Sequence, residues 1–159
     1  MRYLLLDRIT ALEPPARATA VKCVSLADDV FSDHFPGHPV MPGALVLEAL
    51  AQLGGVLVEA AVRMAPGQQG GRGELHALLT MVDRARFRQL VRPGDRLELE
   101  ALCTTAREEG GQVRGLARVE GKLVAEAELT FAFAEVKSQA LIARRREVLQ
   151  IWLHGTVGD

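Results

Sequence analysis

The sequence predicts an α+β domain in which a curled antiparallel sheet wraps around one long central helix. Three observations carry this expectation. Residues 44–62 form a nearly continuous apolar stretch. A series of β-type runs punctuated by Gly and Pro fills the second half of the chain. The whole is 159 residues with 48% hydrophobic content, enough for a single core. A helix that is apolar over most of its circumference has to be covered by protein on several sides, and a sheet that follows it in sequence is the available cover.

Tyr3 to Asp7 and Thr19 to Ser25 read as short strands, the second alternating through Ala20, Val21, Lys22, Cys23 and Val24. Glu13-Pro14-Pro15 breaks the chain between them. From Asp33 to Gly43, three prolines and two glycines forbid a regular helix or central strand, and the periodic segment then opens at Pro42, a residue suited to a first helical turn. It runs to Met64, about 34 Å at the α-helical rise. At about 100° per residue, Glu48, Gln52, Gly55 and Glu59 share one narrow stripe, the main polar face. Glu59 is expected to be solvated there, and the adjacent Gly54 and Gly55 permit close approach of another backbone.

Ala65 to Gly73 is glycine- and glutamine-rich and reads as a flexible surface connection. The runs His76–Val82, Arg84–Leu90, Arg96–Thr105, Val113–Val119 and Leu123–Phe133 follow, separated by Pro93-Gly94-Asp95, Gly110-Gly111 and Gly121, which with the N-terminal runs makes roughly six antiparallel strands. Ser138 to Leu153 reads as an amphipathic helix packed outside the sheet. The expected organisation is a domain over residues 1–137 and a helical extension over 138–159.

Lys and Arg total 19 against 20 Asp and Glu, so nothing suggests the broad basic surface of a nucleic-acid binder. Cys23 and Cys103 lie far apart and outside any CxxC spacing, which fits reduced thiols in the cytoplasm. The N-terminus has only a short apolar run before Asp7 and Arg8, so no signal peptide or anchor is expected. Glu48, Gln52 and Glu59 interrupt the apolar segment and argue for a buried helix over a membrane span. His34 and His38 have HxxxH spacing, but Pro36, Gly37 and Pro39 exclude the helix that metal ligation at this spacing needs. Neither a metal nor a cofactor is expected.

The chemistry concentrates in His34-Phe35-Pro36-Gly37-His38-Pro39-Val40-Met41-Pro42-Gly43, which runs straight into Ala44-Leu45-Val46-Leu47-Glu48-Ala49-Leu50-Ala51-Gln52. This segment resembles the bacterial 3-hydroxyacyl-acyl-carrier-protein dehydratases of the FabZ and FabA type. Every fixed position of the FabZ-branch pattern HFPGxPxxPGxLxxEAxAQ is matched. Val82-Asp83-Arg84-Ala85-Arg86-Phe87, Val91-Arg92-Pro93-Gly94-Asp95 and Leu5-Leu6-Asp7-Arg8 extend the likeness over roughly residues 3 to 136.

The resemblance implies a hot-dog fold and a homodimer with shared active sites, of which three can assemble as a trimer of dimers. It also implies an acyl carrier protein as partner, delivering the acyl chain on its phosphopantetheine arm. Each site combines the histidine of one subunit with the glutamate of the other: here His34 and Glu48. Water elimination from a (3R)-hydroxyacyl thioester needs a base for the proton beside the carbonyl, and a neutral His34 suits it; it also needs an acid for the departing hydroxyl, and Glu48 among Leu, Val and Ala suits that. The Gly43 N–H, free in the first helical turn, would hold the negative charge on the thioester oxygen, and glycine there would let the thioester approach closely. Phe35, Pro36, Gly37 and Pro42 would shape the site. Gln52, one turn beyond Glu48, would either orient its carboxyl or satisfy another buried partner.

Arg84, Arg86 and Arg88 alternate along an expected strand with Arg92 just beyond, a basic patch that would contact the acidic carrier or its pantetheine phosphate. His76 and His154 are expected to be structural or exposed. The sequence departs from the family pattern at Asp33, where FabZ-type enzymes usually have glycine, at His76 to Leu79, which lack the aromatic that commonly gates the acyl tunnel, and after Val136. Glu48 follows the FabZ branch, whereas the FabA branch, which also isomerises the double bond, uses aspartate; Val40-Met41-Pro42 is FabA-like. Dehydration without isomerisation is therefore expected, with a hot-dog thioesterase or a silent acyl-binding subunit as the competing readings.

Overall fold

The computed structural model describes residues 3–65 and 74–156. The expected connection at 65–73 lies, after Ala65, outside the described residues. The described residues form six strands and two helices: β1 (Arg8–Glu13), β2 (Arg17–Cys23), α1 (Gly43–Arg63), β3 (Glu74–Phe87), β4 (Arg96–Arg107), β5 (Gly110–Val119), β6 (Lys122–Val136) and α2 (Gln139–Leu153), with a short 3-10 turn at Asp29–Ser32. The strands form one antiparallel sheet in the order β1-β2-β4-β5-β6-β3. Alternation sets its inner face: Leu97, Leu99 and Ala101 of β4, Val113 of β5, and Ala125, Ala127, Leu129 and Phe131 of β6 are buried.

α1 packs against every strand. Leu50, Leu53, Leu57 and Val58 are fully enclosed, so this helix, long and apolar enough to cross a membrane, is the core of the domain. Its helical periodicity agrees with the expectation to within a residue; Pro42 caps the N-terminus and does not enter the first turn. Gly54 is where the sheet comes closest: a Cβ there would stand 2.7 Å from Val113 Cγ2 and 3.2 Å from the Phe131 ring. Gly55 has ordinary room, its nearest neighbour the Ala77 Cβ at 3.7 Å. Gly54→Val is therefore expected to destabilise the fold by about 3 kcal/mol through overpacking, whereas Gly55→Ala is tolerated; urea unfolding of both variants checks the contrast.

The structure corrects the strand expectations in two places. Tyr3 to Leu6 is not a strand, and β1 begins at Arg8. The backbone of this segment is satisfied by side chains instead: Leu5 N–H donates to Gln52 Oε1 at 3.0 Å, and Leu6 O accepts from Trp152 Nε1 at 2.8 Å. Leu5 and Leu6 are nonetheless buried, which explains why the run looked like a strand.

The run 76–82 and the first part of the run 84–90 are one strand, β3, which is bulged and ends at Phe87. Asp83 pairs with Glu128 and Arg86 with Glu126, so β3 holds one residue more than β6 over this interval, where Arg84 takes a positive φ of 50°, and a second such shift lies between Leu79 and Met81. β3 is also an edge strand, and Leu78, Leu79, Met81, Val82 and Phe87 on it are exposed.

α2 follows its expectation, starting on a Ser138 cap that accepts from Leu141 N–H. It buries Ile142, Val148 and Trp152, packs on β1, and reaches back to α1 and β3 through its arginines.

Candidate active site

The His34 loop is a closed piece of backbone. The 3-10 turn ends with His34 N–H donating to Val30 O at 3.0 Å; Phe35 and His38 exchange both backbone hydrogen bonds; Val40 N–H returns to His34 O at 3.0 Å. Gly37 supplies the positive φ of 75° that this tight turn requires, and no side chain at that position is enclosed. Met41 N–H then donates to Val91 O, fixing where the loop meets α1. Phe35 is exposed and stacks on the His34 ring with centroids 4.2 Å apart; Pro36 and His38 are exposed.

His34 Nδ1 lies 2.7 Å from Val40 O. A carbonyl only accepts, so Nδ1 carries the proton, and in the neutral ring Nε2 keeps its lone pair. The loop thus selects a tautomer and an orientation together.

Glu48 is half-buried on α1. Gln52 Nε2 donates to Glu48 Oε1 at 2.9 Å and to Tyr3 O at 3.1 Å, while its Oε1 takes the Leu5 N–H. Gln52 thus hydrogen-bonds the Glu48 carboxyl and the backbone of Tyr3 and Leu5 at once. Glu48 and Gln52 line a cavity of about 250 Å³ between α1 and β3 that also reaches Glu59, His76, Leu78 and Arg145. His34 does not line it, and among the described residues no hydrogen bond or ion pair joins His34 to Glu48 within one chain.

Gly43 is the first residue of α1, where the backbone N–H lacks an intrahelical acceptor. The space over its α-carbon is not open, as the sequence reading had it. The Phe87 ring occupies it, and a Cβ would fall 2.6 Å from Phe87 Cε1. Phe87 is 54% exposed, so the cover over Gly43 is a surface ring.

The arginine patch divides. Arg84 donates to Glu128 at 3.1 Å, and Arg88 and Arg114 both pair with Glu126. Arg88 first, then Arg114, hold the Glu126 carboxyl below the usual carboxylate range. Arg86 and Arg92 have no ion-pair partner among the described residues. The bulge breaks strict alternation, yet Arg84 and Arg86 line one open surface cavity of about 300 Å³.

Glu59 is the residue that sequence reasoning misjudged. It is 5% exposed, not solvated: both carboxylate oxygens accept from Arg145 Nη2 at 3.2 Å, and Oε1 accepts the Ala77 N–H at 2.8 Å. The helical stripe placed Glu59 beside Glu48; no local pattern pointed to a partner on α2.

The FabA-like domain family matches residues 1–128. The 3-hydroxyacyl-[acyl-carrier-protein] dehydratase FabZ of Bacillus velezensis is 47% identical over 133 residues, covering 84% of this chain and 89% of that protein. The enzyme of the same name from Bacillus subtilis is 43% identical over the same shares. Among solved structures, a chain of the dehydratase heterocomplex ApeI:P from Xenorhabdus doucetiae superposes with a TM-score of 0.64 at 18% identity, covering 90% of each chain, a likeness of fold. A sheet wrapped around one buried helix is the hot-dog fold, and with identity at this level sustained over most of both chains, this chain belongs to the FabA-like domain family, on its FabZ branch.

Proposed function

We propose that the chain dehydrates (3R)-hydroxyacyl thioesters of an acyl carrier protein to trans-2-enoyl thioesters in fatty-acid or related lipid or polyketide synthesis. It is a hydro-lyase. The observation that carries this reading is the His34 tautomer: a ring whose Nδ1–H is committed to Val40 O presents a basic Nε2.

In the reaction, His34 Nε2 takes the proton from the carbon beside the thioester carbonyl, and negative charge builds on the carbonyl oxygen. The Gly43 N–H, at the positive end of the α1 dipole, holds that charge. The C–O bond to the hydroxyl breaks as Glu48 supplies its proton, and water leaves. The proton on His34 then returns to Glu48 through solvent. Gln52 holds the carboxyl in register throughout.

Since one chain does not bring His34 to Glu48, the working unit is a homodimer that joins them across its interface. Its natural seam is β3, an edge strand with unpaired backbone and exposed Leu78, Leu79, Met81 and Val82. Cys23 and Cys103 are free thiols, and burial pushes the Cys103 thiol up, as befits an inert residue in a cytoplasmic enzyme.

The test is absorbance at the enoyl-thioester band with a 3-hydroxyacyl carrier-protein substrate. Dehydration with no free thiol supports the proposal; thiol release without enoyl product identifies a thioesterase, and binding without turnover a silent subunit. A major 3-enoyl product would instead place the chain with isomerising dehydratases. For the carrier, Arg86→Glu is expected to raise KM for carrier-bound substrate about tenfold and leave KM for the pantetheine thioester unchanged, since Arg86 lines the open surface cavity and makes no ion pair among the described residues. Equal KM values on the carrier substrate would remove Arg86 from the docking surface.

A further inference from the structure

We infer that Arg145, on the C-terminal helix, sets the length of acyl chain the enzyme accepts, by closing the far end of the Glu48 cavity with a fixed ion pair. The inference rests on the reading of that cavity as the acyl site. The cavity starts at Glu48 and follows the polar stripe of α1 to Glu59, three turns or roughly 16 Å along the axis. Between them, past the Gln52 amide beside Glu48, its walls are apolar, from Ala51, Gly55, Ala77, Leu78, Leu79 and Phe131. Its end is not. There the Glu59 carboxylate is held by Arg145 Nη2 at 3.2 Å to each oxygen and by the Ala77 N–H, and the Arg145 guanidinium lies 5.9 Å from the Trp152 ring centroid.

Two further polar atoms at this end, Arg145 Nε and His76 Nε2, are buried without a hydrogen-bond partner among the described residues. An acyl chain gains roughly fourfold in affinity for each methylene that enters apolar surroundings. Once its methyl end meets Glu59 and Arg145 that gain stops, because further extension has to part a buried carboxylate from its guanidinium partner and offers no hydrogen bond to Arg145 Nε or to His76 Nε2, the latter 3.9 Å from Glu74 Oε2. Chains that end before Glu59 are therefore the preferred substrates. Arg145 and Trp152 lie beyond residue 128, where the family match ends, so this limit belongs to the extension and not to the shared dehydratase domain.

The experiment compares the wild-type enzyme with the double variant Glu59→Met/Arg145→Leu on 3-hydroxyacyl carrier substrates from butanoyl to hexadecanoyl. Replacing both charges avoids leaving one buried alone. Affinities of acyl-pantetheine thioethers of the same lengths are measured by calorimetry in parallel. The expected result is that the wild type falls off at long chains and the double variant raises the hexadecanoyl-to-butanoyl ratio at least tenfold in kcat/KM and in affinity. Arg145→Gln, which keeps a donor toward Glu59 but shortens the wall, should shift both ratios in the same direction and covers the case in which the double variant does not fold. An unchanged ratio in a folded variant overturns the inference. If the wild type turns over no chain length, the dehydratase reading fails. The thioether affinities then decide the wall separately: a fall at long chains that the variants relieve supports it, and a steady rise to hexadecanoyl in the wild type overturns it.

Discussion

Replacing His34 by alanine is expected to lower kcat/KM for a 3-hydroxyacyl carrier-protein thioester by roughly 10³- to 10⁴-fold, the loss that follows removal of a positioned general base. The fold should survive. Among the described residues the ring makes one hydrogen bond, to Val40 O, while the loop itself is held by backbone bonds from His34 N–H, Phe35, His38 and Val40 that alanine retains. Wild-type circular dichroism and an unchanged unfolding midpoint, together with the lost rate, would place the defect in chemistry. A variant that keeps more than a tenth of the activity would take the base role away from His34. His34→Gln, which can still accept a hydrogen bond but cannot serve as a base near neutrality, should be as inactive as alanine.

Glu48→Gln is the second large effect, expected at roughly 10²- to 10⁴-fold in kcat/KM. The amide keeps the size of the side chain and still accepts from Gln52 Nε2, so the positioning is preserved and only the proton is missing. A decisive extension is to mix the two dead proteins. If each site takes His34 from one chain and Glu48 from the other, a dimer of one His34→Ala and one Glu48→Gln chain has one site with both lesions and one that is intact. Random re-pairing from equal amounts then restores about a quarter of wild-type activity. Sites built within single chains would remain dead in every dimer, and mixing would restore nothing.

How much of this was legible before the fold was known depends on the distance over which each feature is encoded. The α1 helix was legible because its apolar residues repeat at helical spacing within one window, and the same arithmetic put Glu48, Gln52, Gly55 and Glu59 on one face. The strands from β4 to β6 were legible from alternation between Gly and Pro punctuation. The His34 loop was legible because proline and glycine leave the backbone few alternatives, and its match to the family pattern named the candidate pair. Each of these is a local property.

What tertiary structure alone decided was where unlike segments meet. Tyr3 to Leu6 has the composition of a strand, but its backbone partners are the Gln52 and Trp152 side chains, the latter on a helix 146 residues away. The runs 76–82 and 84–90 read as two segments, yet the ladder to β6 continues through Asp83 and takes up an extra residue between Asp83 and Arg86 as a bulge. Gly43 looked open until the fold laid Phe87 over it. Glu59 looked solvated because a charge on a helix usually is; the fold buries it by bringing Arg145 from 86 residues further along to neutralise it. Periodicity within a window determines which face a side chain takes, because backbone geometry alone sets it. Whether that face is wet, dry or paired depends on contacts between segments far apart in the chain, and these exist only once the sheet has closed around the helix.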